Sequence, residues 1–179
     1  MIRLRAGSVK KLFLPLIAGL FLVLPISCST VPYTDADEGD DLVDAGRYDE
    51  AIVEYTRSIN LQPRNPEPYL GRAYAYQKKG QYDYALADYT RATEVDPKDP
   101  HTFLARGLFY DFLGKPQQAI EDYNRALMVN PSFADAFYYR GVAWEKLGNS
   151  QSAVADLKRA ALMGDPDAQA KLKSMGVSW

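Results

Sequence analysis

The chain repeats a pattern of 34 residues. Residues 66–99 contain two amphipathic helical segments, with a helix stop after each of them. Residues 32–65, 100–133 and 134–167 follow the same pattern without insertion. Because a single helix pair of this kind cannot bury its apolar face alone, consecutive pairs stack on one another. The period therefore predicts an all-α fold made of four stacked helix pairs.

Small residues and helix stops recur at fixed places in each unit. A glycine after the first helix suits the left-handed conformation that ends a helix. Alanine on the second helix faces a small residue on the first, so the two helices can approach closely. The residues are Gly46, Gly80, Gly114 and Gly148 at the corners, Ala51, Ala85, Ala119 and Ala153 on the second helices, and Gly39, Ala73, Gly107 and Gly141 on the first.

Over residues 32–167 this order of aromatic, small, glycine, alanine and proline positions resembles the tetratricopeptide repeat family. The resemblance implies an all-α, right-handed superhelical solenoid whose inner face is lined by the first helix of each unit. Residues 166–175, with Asp165 as the helix cap, are similar to the final capping helix of such arrays. The position after the corner, usually Tyr, is Pro116 in the third unit and Ser150 in the fourth, which predicts looser corners there.

Arginine and aspartate recur with the same period. A group repeated in every unit serves the unit rather than catalysis, so we expect Arg72 to pair with Asp88 across its helix hairpin. The first unit has Glu38 and Glu54 at these places and should lack the pair. The equivalent residues in the later units are Arg106 with Asp122 and Arg140 with Asp156.

No catalytic constellation stands out in the sequence. There is one histidine, His101, and one cysteine, Cys28, too few for the usual zinc site. His101 follows Pro100 at a predicted helix start, where a surface residue is more common than a catalytic base. The sequence has no phosphate-binding glycine loop, and the formal net charge of −2 does not favour nucleic-acid binding. We therefore expect no enzyme activity, no cofactor and no nucleic-acid partner.

The resemblance also implies which residues face the concave groove. Most of them are apolar in the middle of the array and have charged neighbours, as a groove for a peptide or a helix requires. The alternative is that they pack on the next unit or on the tail of the chain. The candidate partner-binding residues are Leu70, Tyr74, Lys78, Leu104, Leu108, Phe112, Tyr138 and Val142.

Members of the family that bind cytosolic chaperones hold a terminal carboxylate with Lys and Asn at set groove positions. Those positions here are Ala36, Asp40, Leu70 and Tyr74, so that clamp is absent. The first helix of the first unit is strongly acidic instead. It is interpreted either as a solvated end cap, which solenoids need, or as an acidic partner site.

The N-terminus has the pattern of an export signal. Residues 1–11 are basic and residues 12–26 carry no charge. As a helix, the apolar stretch would reach only about 23 Å, less than the ~30 Å of a hydrocarbon core. Residues 1–27 are therefore predicted to be a signal peptide.

Cys28 follows Ser27 directly after the apolar stretch, which resembles the lipobox of bacterial lipoproteins. The resemblance implies a diacylglycerol on Cys28 and, with Ser29 after it, an outer-membrane location facing the periplasm. Ordinary secretion or an uncleaved anchor would also fit the pattern. Residues 28–34 are a linker whose last six residues reach only about 20 Å when extended, so a lipid on Cys28 would hold the repeats close to the membrane.

Together these features predict a non-enzymatic scaffold or adaptor in the bacterial cell envelope that binds a protein partner in its groove. By resemblance, lipoproteins of this build include adaptors that gather envelope enzymes and pilotins that guide assembly. The pattern is also compatible with a self-associating module and with an accessory subunit of an envelope enzyme.

Overall fold

A computed structural model describes residues 35–179, with side chains from residue 38 onward. Within that range the chain forms nine helices and no strand, which confirms the predicted all-α class. The predicted signal peptide, Cys28 and the linker lie outside the described residues. The helices are α1 (Asp35–Asp44), α2 (Tyr48–Leu61), α3 (Glu67–Lys78), α4 (Tyr82–Val95), α5 (Pro100–Phe112), α6 (Pro116–Val129), α7 (Ala134–Lys146), α8 (Ser150–Leu162) and α9 (Pro166–Ser174).

Each helix packs on the helices next to it in the sequence, so the four pairs stack in chain order as a solenoid. The facing small residues are fully buried, as predicted; Ala85 on α4 and Ala73 on α3 have no exposed surface. One large side chain per second helix fills the space beside them. These side chains are Tyr55, Tyr89, Tyr123 and Leu157.

The corner between the two helices of a pair has the same geometry in every unit. Gly114, with φ +69°, donates its N–H to the carbonyl of Asp111, and the Lys115 N–H bonds to the carbonyl of Tyr110 at 2.9 Å. The corner at Gly148 makes the matching pair of bonds. The expectation of looser corners in the last two units is therefore wrong. The glycine and these two hydrogen bonds close the turn, so Pro116 can begin α6 without the usual tyrosine.

The arginine and aspartate side chains form the predicted bridge within the second, third and fourth pairs. Arg72 Nε and Nη2 donate to the two carboxylate oxygens of Asp88 at 2.7 and 2.8 Å. The pairs Arg106–Asp122 and Arg140–Asp156 have the same two-point geometry.

The third nitrogen of each arginine reaches back to the preceding unit, which the sequence did not predict. Nη1 of Arg72 donates to Thr56 on α2 at 2.9 Å. Nη1 of Arg106 donates to Thr93 on α4, and Nη1 of Arg140 to Asn124 on α6. The arginine therefore connects the two helices of its own pair and also joins that pair to the previous one.

The first pair is held together differently. Tyr55 lies between Gly39 on α1 and Gly71 on α3, and a Cβ at either glycine would come within 2.5 Å of the ring. Its hydroxyl donates to Asp40 at 2.5 Å. The other described acidic residues of α1 are exposed, which agrees with a solvated end cap.

α9 closes the other end of the array, as predicted. The Asp165 carboxylate caps it by accepting from the Ala168 N–H at 2.7 Å. Leu172 and Ala168 are fully buried against Leu157 and Ala161 of α8. Among the described helices, none has the length and apolar character needed to cross a bilayer.

Candidate functional site: the concave groove

Three of the first helices supply the candidate groove. Side chains four residues apart lie on the same face of a helix. The predicted groove residues follow this spacing in α3, α5 and α7, so each helix presents one row. The rows are Leu70, Tyr74 and Lys78 on α3, Leu104, Leu108 and Phe112 on α5, and Tyr138 and Val142 on α7, where Lys146 continues the spacing.

Exposure increases along these rows from the start of each helix to its end. Leu104 is only 8% exposed and belongs to the core cluster with Ile120 and Tyr123, so it is a core residue and not a contact surface. Leu70, Leu108, Tyr138 and Val142 are half-buried. Tyr74, Lys78 and Phe112 are exposed, and they define the accessible part of the groove.

Phe112 lies at the centre of an aromatic cluster. It is 54% exposed, and its ring is 5.5 Å from that of Tyr82 and 6.1 Å from that of Phe109. Tyr82 is also exposed, whereas Phe109 is buried beneath both rings. Tyr82 follows the corner at Gly80, at the position that is usually Tyr in the repeat, and it was not among the predicted groove residues. Only the packing of α4 against α5 shows that the two exposed rings form one surface.

Lysines flank this cluster at the equivalent position of the neighbouring units. Lys78 on α3 lies 4.9 Å from the centre of the Tyr74 ring, and its contact with Tyr74 raises the pKa of the ammonium group. Lys146 on α7 lies 3.1 Å from the Asp111 carboxylate of α5. Lys78 and Lys146 thus stand on either side of Phe112.

Two side-chain hydrogen bonds lie beneath the groove. The Tyr123 hydroxyl donates to Asp111 at 3.1 Å, and the Tyr89 hydroxyl donates to Gln77 at the same distance. Burial, and then the Asp111 charge, raise the pKa of Tyr123 far above its usual value. The phenol is therefore a neutral hydrogen-bond donor under all ordinary conditions.

His101 is placed as the sequence indicated, at the exposed start of α5. Its Nδ1 is 2.8 Å from the Asp99 carboxylate, which also accepts the backbone N–H of His101 and so caps the helix. The ring stands edge-on to Phe133 at 4.9 Å. Across the described part of the chain, no three side chains of the metal-binding types come together. These contacts give His101 a structural role at the helix start.

A helical repeat solenoid with an aromatic and basic groove is the architecture of a protein-interaction module. The chain matches family profiles described as "TPR repeat" over residues 39–80 and "Tetratricopeptide repeat" over residues 66–99 and 104–170. It belongs to the tetratricopeptide repeat family. No curated protein sequence matches it significantly.

Solved structures of similar fold agree with this assignment. A thermophilic TPR protein of Thermus thermophilus, TTC0263, is 27% identical with a TM-score of 0.65; the match covers 79% of this chain and 81% of that one. A crystal structure of MamA is 24% identical with a TM-score of 0.65, covering 75% of this chain and 79% of that chain. A second MamA structure is 23% identical with a TM-score of 0.63, covering 73% and 71%.

Proposed function

We propose that this protein is a non-enzymatic scaffold that binds a segment of a partner protein in the concave groove of α3, α5 and α7. The exposed cluster of Phe112 and Tyr82, with Lys78 and Lys146 on either side, is the observation that carries the proposal. Exposed aromatic rings over a packed base are typical hot spots of protein interfaces, because they bury a large area with little loss of side-chain entropy.

We also propose that the scaffold is held at the bacterial outer membrane, on its periplasmic face, by a lipid on Cys28. The support comes from the sequence: a basic start, an uncharged stretch of signal-peptide length, and the only cysteine of the chain directly after it. The full-length chain should fractionate with membranes, and Cys28→Ala should move it to the soluble export fraction. A variant that stays membrane-bound would contradict lipid anchoring.

Affinity capture from solubilised envelope, with residues 32–179 as bait, tests the groove. Phe112→Glu should remove the partner, because a carboxylate would replace the central apolar contact. Tyr84→Glu is the matched control, since Tyr84 is an exposed aromatic residue on the second helix α4 whose ring stacks on Tyr76 and not on the Phe112 cluster. Circular dichroism should show the same helical content for both variants.

The outcome of the capture experiment shows whether the partner binds the groove or another surface of the domain. A partner lost with Phe112→Glu and retained with Tyr84→Glu supports the groove. Equal capture by both variants contradicts it. Leu104→Glu is unsuitable as a groove variant, because a charge in that buried position would unfold the domain rather than block a contact.

A further inference from the structure

The first helix pair has two carboxylates where the later pairs have an ion pair. Glu38 and Glu54 occupy the places of Arg72 and Asp88 in the 34-residue unit. Oε2 of Glu54 is buried and accepts no hydrogen bond from the described residues, and the guanidinium of Arg57 lies 3.8 Å from it. A buried carboxylate oxygen without a hydrogen bond destabilises a fold. The first pair therefore lacks the bridge of the later pairs and carries a like charge in place of the arginine.

The sequence of α1 also disfavours the helix itself. Gly39 lies in its interior, where glycine is less favourable than any other residue except proline. Asp41 and Asp44 lie in its last turn, next to the negative end of the helix dipole. The equivalent helices α3 and α7 have a lysine in the last turn, which the dipole favours. A helix of ten residues with these features is not stable in water without its neighbours.

Few contacts hold α1 on the rest of the domain. Its large apolar side chains, Leu42 and Val43, are only half-buried. Its Asp40 carboxylate accepts the Tyr55 hydroxyl at 2.5 Å. At the other end of the array, α9 has a fully buried leucine, Leu172. The attachment of α1 therefore rests on little buried apolar surface and one side-chain hydrogen bond.

The contacts that hold α2 on the next pair do not involve α1. Arg72 of α3 donates to Thr56 of α2 at 2.9 Å, and Lys79 forms an ion pair with Asp49. Ile59 belongs to an apolar cluster that α2 shares with α3 and α4. The second helix of the first pair can therefore stay in place when the first helix leaves.

We propose that α1 is a releasable end cap, which undocks and unfolds while α2 to α9 stay folded. Release uncovers Ala51, Tyr55 and Ala75, of which none is more than 2% exposed while α1 is docked. Leu42 and Val43 of α1 pack against this cluster in the closed state. The domain thus has a second apolar surface, on α2 and α3, that is accessible only after α1 has opened.

Thiol labelling tests the proposal, because residues 32–179 contain no cysteine and form one compact unit. Ala51→Cys places a thiol beneath α1, and Ala119→Cys places one at the same position of the third unit; both alanines are fully buried. Iodoacetamide, a neutral reagent, should label Ala51→Cys at least ~100-fold faster, because only global unfolding exposes residue 119. Moderate urea should accelerate labelling mainly at residue 119, since opening of α1 exposes little surface.

Hydrogen exchange of the unsubstituted domain checks that the cysteine itself does not displace α1. The amides of α1 should exchange through a local opening that depends weakly on urea. The amides of α5 to α7 should exchange only through global unfolding.

Glu38→Arg tests the cause of the opening. The new guanidinium should reach Glu54 as Arg72 reaches Asp88, and it should slow the labelling of Ala51→Cys about tenfold. The labelling of Ala119→Cys should not change. Glu38→Arg combined with Glu54→Ala is the matched control and should lose this gain, because the acceptor is gone. Higher salt should also slow labelling of Ala51→Cys when Glu38 is present, because it screens the like charges.

The proposal is overturned if Ala51→Cys and Ala119→Cys are labelled at the same rate, or if the α1 amides exchange only on global unfolding. It is also overturned if Glu38→Arg leaves the labelling of Ala51→Cys unchanged, or if the control with Glu54→Ala keeps the gain. Phe112→Glu should not alter labelling at residue 51. The groove proposal and this one can therefore fail separately.

Discussion

Arg106 and Asp122 form a two-point ion pair between α5 and α6, with both N–O distances at 2.7 Å. Their side chains are only 9% and 4% exposed. Asp122 and Thr93 together satisfy all three guanidinium nitrogens. A charge can be buried at this depth because the carboxylate of Asp122 and the hydroxyl of Thr93 replace three of its hydrogen bonds to water.

Breaking this pair should be costly. Asp122→Ala leaves the Arg106 charge buried without a counter-ion, and we expect the free energy of unfolding to fall by about 3–5 kcal/mol. Urea denaturation followed by circular dichroism measures the change. Glu94→Ala is the control, since it removes the exposed partner of Arg91 and should cost about 1 kcal/mol or less. Equal losses of unfolding free energy in the two variants would show that the buried pair stabilises the fold no more than the exposed pair does.

Gly71→Ala should detach the first pair from the second. The new Cβ would lie 2.4 Å from Tyr55 Cζ, so the ring must move and its hydroxyl must leave Asp40. We expect a loss of about 1–3 kcal/mol in unfolding free energy, as for other overpacked cores. Hydrogen exchange should show faster exchange confined to α1 and α2.

Gly80→Ala gives the comparison for that result. Gly80 has φ +73° and open space around it, so alanine there adds backbone strain of about 1–2 kcal/mol but no clash. Faster exchange should then centre on the corner between α3 and α4. If both variants loosen the same helices, the glycine contacts of Tyr55 are not what holds the first pair.

Alkaline pH should unfold the domain by way of its buried tyrosines. Burial raises the pKa values of Tyr55, Tyr89 and Tyr123 well above the usual value of about 10. Above pH ~10 these phenols ionise in the unfolded chain but not in the folded one. The stabilisation they give is complete below pH ~10, and each loses about 1.4 kcal/mol per pH unit above it.

Tyrosinate absorbance and circular dichroism, recorded on one alkaline titration, measure this effect. The late part of the tyrosinate signal should rise together with the loss of helix. Tyr123→Phe should reduce the pH dependence of the unfolding free energy above pH ~10, because one buried phenol is removed. Ionisation of every tyrosine near pH ~10 in a still helical chain would contradict the prediction.

The parts of the fold that depend on the period were predictable from the sequence. Arg72 and Asp88 lie at fixed places of a known unit, so their pairing across the hairpin followed directly. Its link to Thr56 was missed, because that contact depends on how one pair stacks on the previous one. Gly71 was missed for a related reason: it lies outside the small position that recurs in every unit, which is Ala73 here, and only the ring of Tyr55 explains it.

The sequence predicted which helices line the groove, but not how deeply each of their side chains is buried. Leu104 and Phe112 occupy the same row on α5, yet one is in the core and the other exposed. The burial of each side chain depends on the angle between its helix pair and the next pair. A periodic sequence pattern does not specify that angle.

The arginine contacts between units have a direction. Arg72, Arg106 and Arg140 each reach back to a hydroxyl or amide of the pair made earlier in the chain. During synthesis the N-terminal pair leaves the ribosome first, so each later hairpin finds its acceptor already present. A chain interrupted after any complete unit still satisfies every one of these arginines that it contains, whereas one that lacks its first unit does not.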